Sequence, residues 1–99
     1  MYYINTSRHY QYDRKERIKI IESLGGEGRE VDRIYIEDNR GKAYRILTDN
    51  ALIVVRNAET WERITVFFAR PAQVRKFKKC TDDIIKKAQF HIEQGYNFI

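Results

Sequence analysis

The stretch that most constrains this chain is Ala51–Asn57, where Leu52-Ile53-Val54-Val55 is apolar at four successive positions. A strand with that pattern needs cover on both faces, so it belongs in the middle of a sheet with helices or loops above and below. Its neighbours fit that role. Val31–Glu37 alternates, with Ile34 and Ile36 on one side and Arg33 and Tyr35 on the other. Lys42–Thr48 sets Tyr44 and Ile46 against Ala43, Arg45 and Leu47, and Arg63–Arg70 sets Ile64, Val66 and Phe68 against Thr65, Phe67 and Ala69. The segments between them, Asp38-Asn39-Arg40-Gly41, Asp49-Asn50 and Ala58–Glu62, have turn chemistry. Connections this short imply an antiparallel meander of four strands.

Helices flank the sheet. Thr6 or Ser7 is a candidate N-cap for a helix over about residues 8–24, with Ile18, Ile20, Ile21 and Leu24 apolar and Gly25-Gly26 as the stop. Pro71 suits the first turn of a short helix pinned by Val74 and Phe77. Thr81 then caps a final helix with Asp82 and Asp83 in its first turn, a buried stripe of Ile84, Ile85, Ala88 and Ile92, and Gly95 as its end. The tail Tyr96-Asn97-Phe98-Ile99 is apolar and suited to folding onto the core. The expected fold is α+β: an N-terminal helix, a four-stranded antiparallel meander and two C-terminal helices, in a single domain spanning 1–99. The expected core is Ile20, Ile21, Ile34, Ile36, Ile46, Val54, Val66, Phe68, Ile85 and Ile92.

With 99 residues and 42% hydrophobic content the chain can bury one core without staples. The single cysteine, Cys80, excludes an intramolecular disulfide and a cysteine-rich zinc site, and it fits a reducing, cytoplasmic setting. The first residues lack the apolar run of a signal peptide, and no stretch is apolar enough to span a bilayer, so no membrane partner is expected. Metal-ligand spacing, a glycine-rich phosphate loop and a Ser-His-Asp set are missing, and no metal or cofactor is expected.

Charge is uneven. Residues 1–50 carry ten Lys/Arg against nine Asp/Glu, whereas residues 51–99 carry nine against five. The excess lies in Arg70, Arg75, Lys76, Lys78 and Lys79, a run with no acid from Arg70 to Lys79. A cationic surface at the end of a sheet attracts phosphates, so nucleic acid, RNA above all, is the leading partner class. Arg14 and Arg17 on the first helix, and Arg45, Arg56 and Arg70 in or at the ends of strands, extend the candidate nucleic-acid-binding set. Ion pairing of the strand arginines with Glu37, Asp38 or Glu62 is the structural alternative. The seven tyrosines and Trp61 offer stacking surfaces for bases, and Trp61, in a turn, has no evident structural reason. His9, with Asp13 four residues on, forms a candidate acid/base pair. His91, in the last turn of the final helix, is expected to be structural, protonated against the helix dipole. A protein partner at the sheet edge or on the apolar C-terminal tail is a further possibility.

The order of a helix bearing His9, Arg14 and Arg17, followed by an antiparallel sheet ending in Ile64-Thr65-Val66-Phe67, resembles small bacterial domains of the barnase–EndoU–colicin–RelE superfamily. The resemblance covers about residues 8–70. It implies a toxin-like, metal-independent ribonuclease in which His9 is the acid/base, Arg45 or Arg70 clamps the phosphate and Thr65 positions it. The two C-terminal helices and the lack of a second clear acid/base depart from that pattern. The chain also looks like a small phage or mobile-element protein.

Overall fold

The computed structural model describes residues 15–98, and the first helix, α1, is helical over 15–23. It ends where Gly25 and Gly26 take φ of +96°, a conformation that costs glycine little. Then come β1 (Glu30–Asp38), β2 (Gly41–Thr48), β3 (Leu52–Asn57) and β4 (Arg63–Phe68). They form one antiparallel sheet in the order β1-β2-β3-β4, the meander that the short turns imply. A short helix α2 (Pro71–Val74), a longer helix α3 (Asp82–Glu93) and a closing 3₁₀ turn (Tyr96–Phe98) complete the chain.

The register fixes which side chains share a face. Arg33, Ile46, Val54 and Val66 lie in one transverse row, and Tyr35, Tyr44 and Arg56 in the next row of the same face. Ile34, Arg45, Val55 and Thr65 form a row on the opposite face. Each face has its own core. Ile46, Leu52, Val54, Val66 and Phe68 pack with Ile21 of α1, and Ile20 and Tyr96 border them. Leu47, Ile53 and Ala69 pack with Val74, Phe77, Ile84 and Ala88 on the other side. Helices therefore cover both faces, and Leu52 and Ile53, adjacent on β3, are buried in opposite layers.

Two expectations about the last helix change. Ile92 is exposed, and the buried stripe is Ile84, Ala88 and His91. The spacing i, i+4, i+7 keeps one helical face toward the sheet, whereas Ile92, one residue beyond, is turned away by about 100°. His91 is 4% exposed, edge-on to Phe68 at 4.8 Å and 5.8 Å from the Tyr96 ring. Burial pushes its imidazole below the ordinary value, with the Lys87 charge adding to the effect. It is thus held toward the neutral form, and the expected protonated role at the helix end does not apply. Its Nδ1 has no hydrogen-bond partner among the described residues. The tail turns back here, with Asn97 Nδ2 donating to the Phe68 carbonyl at 3.0 Å. Ile20, Ile34, Ile36 and Ile85 are half-buried, at the borders of the two cores.

Candidate functional site

The basic run is built by a three-residue period. Successive turns follow α2: Lys76 N donates to Gln73 O at 3.2 Å, Phe77 N to Val74 O at 3.1 Å and Cys80 N to Phe77 O at 3.2 Å. A 3₁₀-like winding repeats every three residues, so Val74, Phe77 and Cys80 all face the core. Val74 is 0% exposed and Phe77 3%. Arg75, Lys76, Lys78 and Lys79 are left on the outside. None of the four belongs to an ion pair among the described residues, where the pairs are Arg33–Glu30 and Arg63–Glu27. The far end of the run is fastened to β1, because Lys79 N donates to Asp32 Oδ2 at 3.1 Å. The Lys79 amide, above all, holds the Asp32 carboxyl below its ordinary value, with burial opposing and the Arg33 amide and Lys79 charge assisting.

Arg33 follows Asp32 and points to the other face of β1. Its guanidinium grips Glu30 with both prongs, Nε to Oε2 at 2.6 Å and Nη2 to Oε1 at 2.8 Å. It also stacks 4.9 Å from the Trp61 ring and 5.2 Å from the Tyr44 ring. Arg56 approaches Trp61 from β3, its Cζ 5.4 Å from the ring, while its Nη1 donates to the Trp61 carbonyl at 2.9 Å. Tyr44 lies 6.0 Å from Trp61, and Tyr35 packs edge-on against Tyr44 at 5.4 Å. The end of this face beyond α1 is therefore paved with aromatic rings and guanidinium planes. Trp61 and Tyr35 are both exposed.

Trp61 is held by a tight loop. Asn57 Oδ1 accepts from Glu59 N and Thr60 N, Trp61 N donates to Asn57 O at 2.8 Å, and Asn57 N donates to Glu62 O at 2.9 Å. The hairpin forces φ of +65° on Trp61. Glycine and asparagine adopt that region readily, and a bulky residue there is an outlier that costs about 1–2 kcal/mol. Between Trp61 and the 24–29 loop lies an open cleft of about 200 Å³, lined by Glu27, Gly28, Glu30, Ile46, Thr48, Val54, Arg56 and Trp61.

The residues singled out from sequence separate into groups. His9, Asp13 and Arg14 lie outside the described residues. Arg17 is 8% exposed, and its Nη1 donates to the Val66 carbonyl at 2.8 Å, which places it inside the α1–β4 packing rather than on a phosphate-facing surface. Arg45 and Thr65 share a row on the α2–α3 face, two strands apart, while Arg56 is on the opposite face. Arg70 precedes α2, its amide donating to Gln73 Oε1 at 2.8 Å. Glu37, Asp38 and Glu62 form no ion pair with Arg45 or Arg56. Sequence reasoning passed over Glu27, Glu30 and Arg63 as site residues. Glu27 and Arg63 are 36 positions apart, so no local pattern joins them.

Among the described residues no cluster of His, Cys, Asp or Glu is placed to hold a metal ion, and no helix is long and apolar enough to cross a membrane. No protein-family model, curated protein or solved structure matches this chain.

Proposed function

We propose that this domain binds single-stranded nucleic acid, RNA in the first place. The observation that carries the reading is the outward set Arg75, Lys76, Lys78 and Lys79, four cations on a buried apolar anchor with no carboxylate paired to them among the described residues. Solvated surface cations cost little on their own. A set ordered on a buried backbone, with no ion pair of its own among the described residues, suits a polyanion, whose condensed counterions are released on binding. The rings and guanidinium planes on the opposite face add the stacking surfaces that single strands use.

The test is fluorescence anisotropy of a labelled single-stranded RNA against salt. Affinity should fall with a slope of roughly −0.7 per neutralised phosphate, and replacing Arg75, Lys76, Lys78 and Lys79 with glutamate should abolish binding. Wild-type protein that fails to bind at low salt removes the reading and turns attention to a protein partner at the sheet edge or the tail.

A second reading, a metal-independent ribonuclease, draws on the shared row of Arg45 and Thr65 and on the superfamily resemblance. RNA incubated with the protein in EDTA would then yield ends with a 2′,3′-cyclic phosphate. A positioned acid/base contributes about 10²–10⁴-fold, so His9→Ala would nearly silence cleavage and leave binding intact. Binding without cleavage removes this second reading alone.

A further inference from the structure

We propose that the cleft beside Trp61 seats one unpaired nucleobase of the bound strand, stacked on the indole with the Arg56 guanidinium at its side. The inference rests on the nucleic-acid reading and adds a site that the basic run does not contain.

Three observations converge there. Trp61 occupies a left-handed backbone position that would suit glycine, yet it carries the largest side chain and keeps 41% of its surface exposed. Strain of this kind is tolerated where the surrounding structure over-determines it, and it collects at binding sites. The hairpin around Asn57 supplies that over-determination. Second, the cleft has the make-up of a base pocket: an apolar floor of Ile46 and Val54, one aromatic wall, and polar groups at the rim. Arg33 and Arg56 both lie over the Trp61 ring, and of the two only Arg56 lines the cleft, so a base entering it meets the indole beside the Arg56 guanidinium. The rim carboxylates Glu27 and Glu30 are each paired with an arginine, which offsets the repulsion an anionic strand would otherwise meet.

Third, the cleft is joined to the basic run. Asp32 takes the Lys79 amide on one side of β1, and its neighbour Arg33 lies over Trp61 on the other. β1 is an edge strand. A strand whose phosphates follow Lys78 and Lys79 therefore has a route around that edge, past the Arg33 guanidinium, that delivers a base to Trp61. A duplex keeps its bases stacked and cannot make the turn, so the site selects unpaired nucleic acid.

Trp61 is the only tryptophan of the chain, so its emission reports on the site directly. Two probes are titrated into the full chain: a single-stranded RNA of about ten nucleotides, within the ~4–16-nucleotide footprints of single-strand-binding folds, and an abasic sugar-phosphate of the same length. Anisotropy reads binding, and Trp61 emission reads stacking. The RNA should quench Trp61 and bind about 5- to 150-fold more tightly than the abasic probe, the range expected for one stacked base. Trp61→Gly should bring the RNA to the abasic affinity with an unchanged salt slope. Trp61→Leu, which keeps apolar cover without a π-face, should do the same, so a folding defect in one variant does not decide the matter. RNA and abasic probe binding equally, with Trp61 emission unchanged, overturns the base site while the phosphate-binding reading stands. Neither probe binding overturns both.

Discussion

Asp32 Oδ2 accepts the backbone N–H of Lys79 at 3.1 Å, tying the edge strand β1 to the end of the basic connection across 47 positions of sequence. The same carboxylate also accepts the Arg33 amide through Oδ1 at 2.8 Å. One side chain thus sets the position of the outward cations on one face and of the arginine over Trp61 on the other. Acidic residues beside a polyanion-binding surface ordinarily weaken it. Here the carboxylate is spent on backbone donors, and its effect is positional.

Asp32→Asn separates position from charge. The substitution raises the net charge by one, so charge alone would tighten RNA binding. The amide is a weaker acceptor, and the connection through Lys78 and Lys79 should loosen. We expect weaker binding, at a stability cost of about 1 kcal/mol. Tighter binding in the anisotropy titration would show that charge outweighs placement. The wild-type bond also carries a pH signature. The folded carboxyl titrates below its ordinary value, so its contribution is present above an unfolded pKa of about 3.9 and is lost as the pH falls through the folded value.

His91 gives a second, separate pH dependence. Its folded pKa is depressed below the unfolded value of about 6.5, so the neutral imidazole is the form that fits between Phe68, Phe90 and Tyr96. Its stabilising contribution is complete above about 6.5 and is lost as the pH falls toward the folded value, where the unfolded chain takes up the proton first. Denaturant midpoints should drop between pH 7.5 and pH 5. In His91→Leu that part of the drop should vanish, with a higher midpoint than wild type at pH 5. An unchanged pH profile in the variant would mean that His91 does not titrate against folding.

Leu52 and Ile92 test the revised core. Leu52 is 0% exposed on a central strand, and Leu52→Ala should cost about 2–5 kcal/mol. Ile92→Ala should lie within about 1 kcal/mol of wild type, because the side chain is exposed. Equal losses would restore Ile92 to the buried stripe.

That pair also shows where the sequence was readable. The strands were legible because period-two alternation and turn residues are local signals, and the observed register keeps every face assignment made for Ile34, Arg45, Ile46, Thr65 and Val66. Thr81 as N-cap was legible for the same reason, and its Oγ1 accepts from Ile84 N at 3.3 Å. On α3 hydrophobicity and spacing disagree: Ile92 is the more apolar residue, but His91 is the one on the face of Ile84 and Ala88. Asp32–Lys79 and Glu27–Arg63 were illegible because each joins residues dozens of positions apart through the fold alone. Trp61 was visible as an anomaly, but its meaning depends on Arg33 and Arg56 arriving from two other strands.

Trp61 also allows a test that needs no ligand. Its indole touches Tyr44, Arg33 and Arg56, so some stability is lost on removing it. Its backbone, at φ +65°, gains on becoming glycine. Glycine normally destabilises structured backbone relative to alanine by about 0.5–1 kcal/mol, because the unfolded chain has more freedom. In the left-handed region the order reverses, since alanine keeps the Cβ clash and glycine does not. Trp61→Gly should therefore be more stable than Trp61→Ala, and it should lie within about 2 kcal/mol of wild type, against the 3–5 kcal/mol usual for an aromatic that holds a core together. Urea denaturation of the three proteins decides it. Alanine matching or exceeding glycine would mean that the hairpin relaxes out of the left-handed turn. A loss of 3 kcal/mol or more in Trp61→Gly would make the indole a structural lid on the sheet rather than a surface held out for a partner.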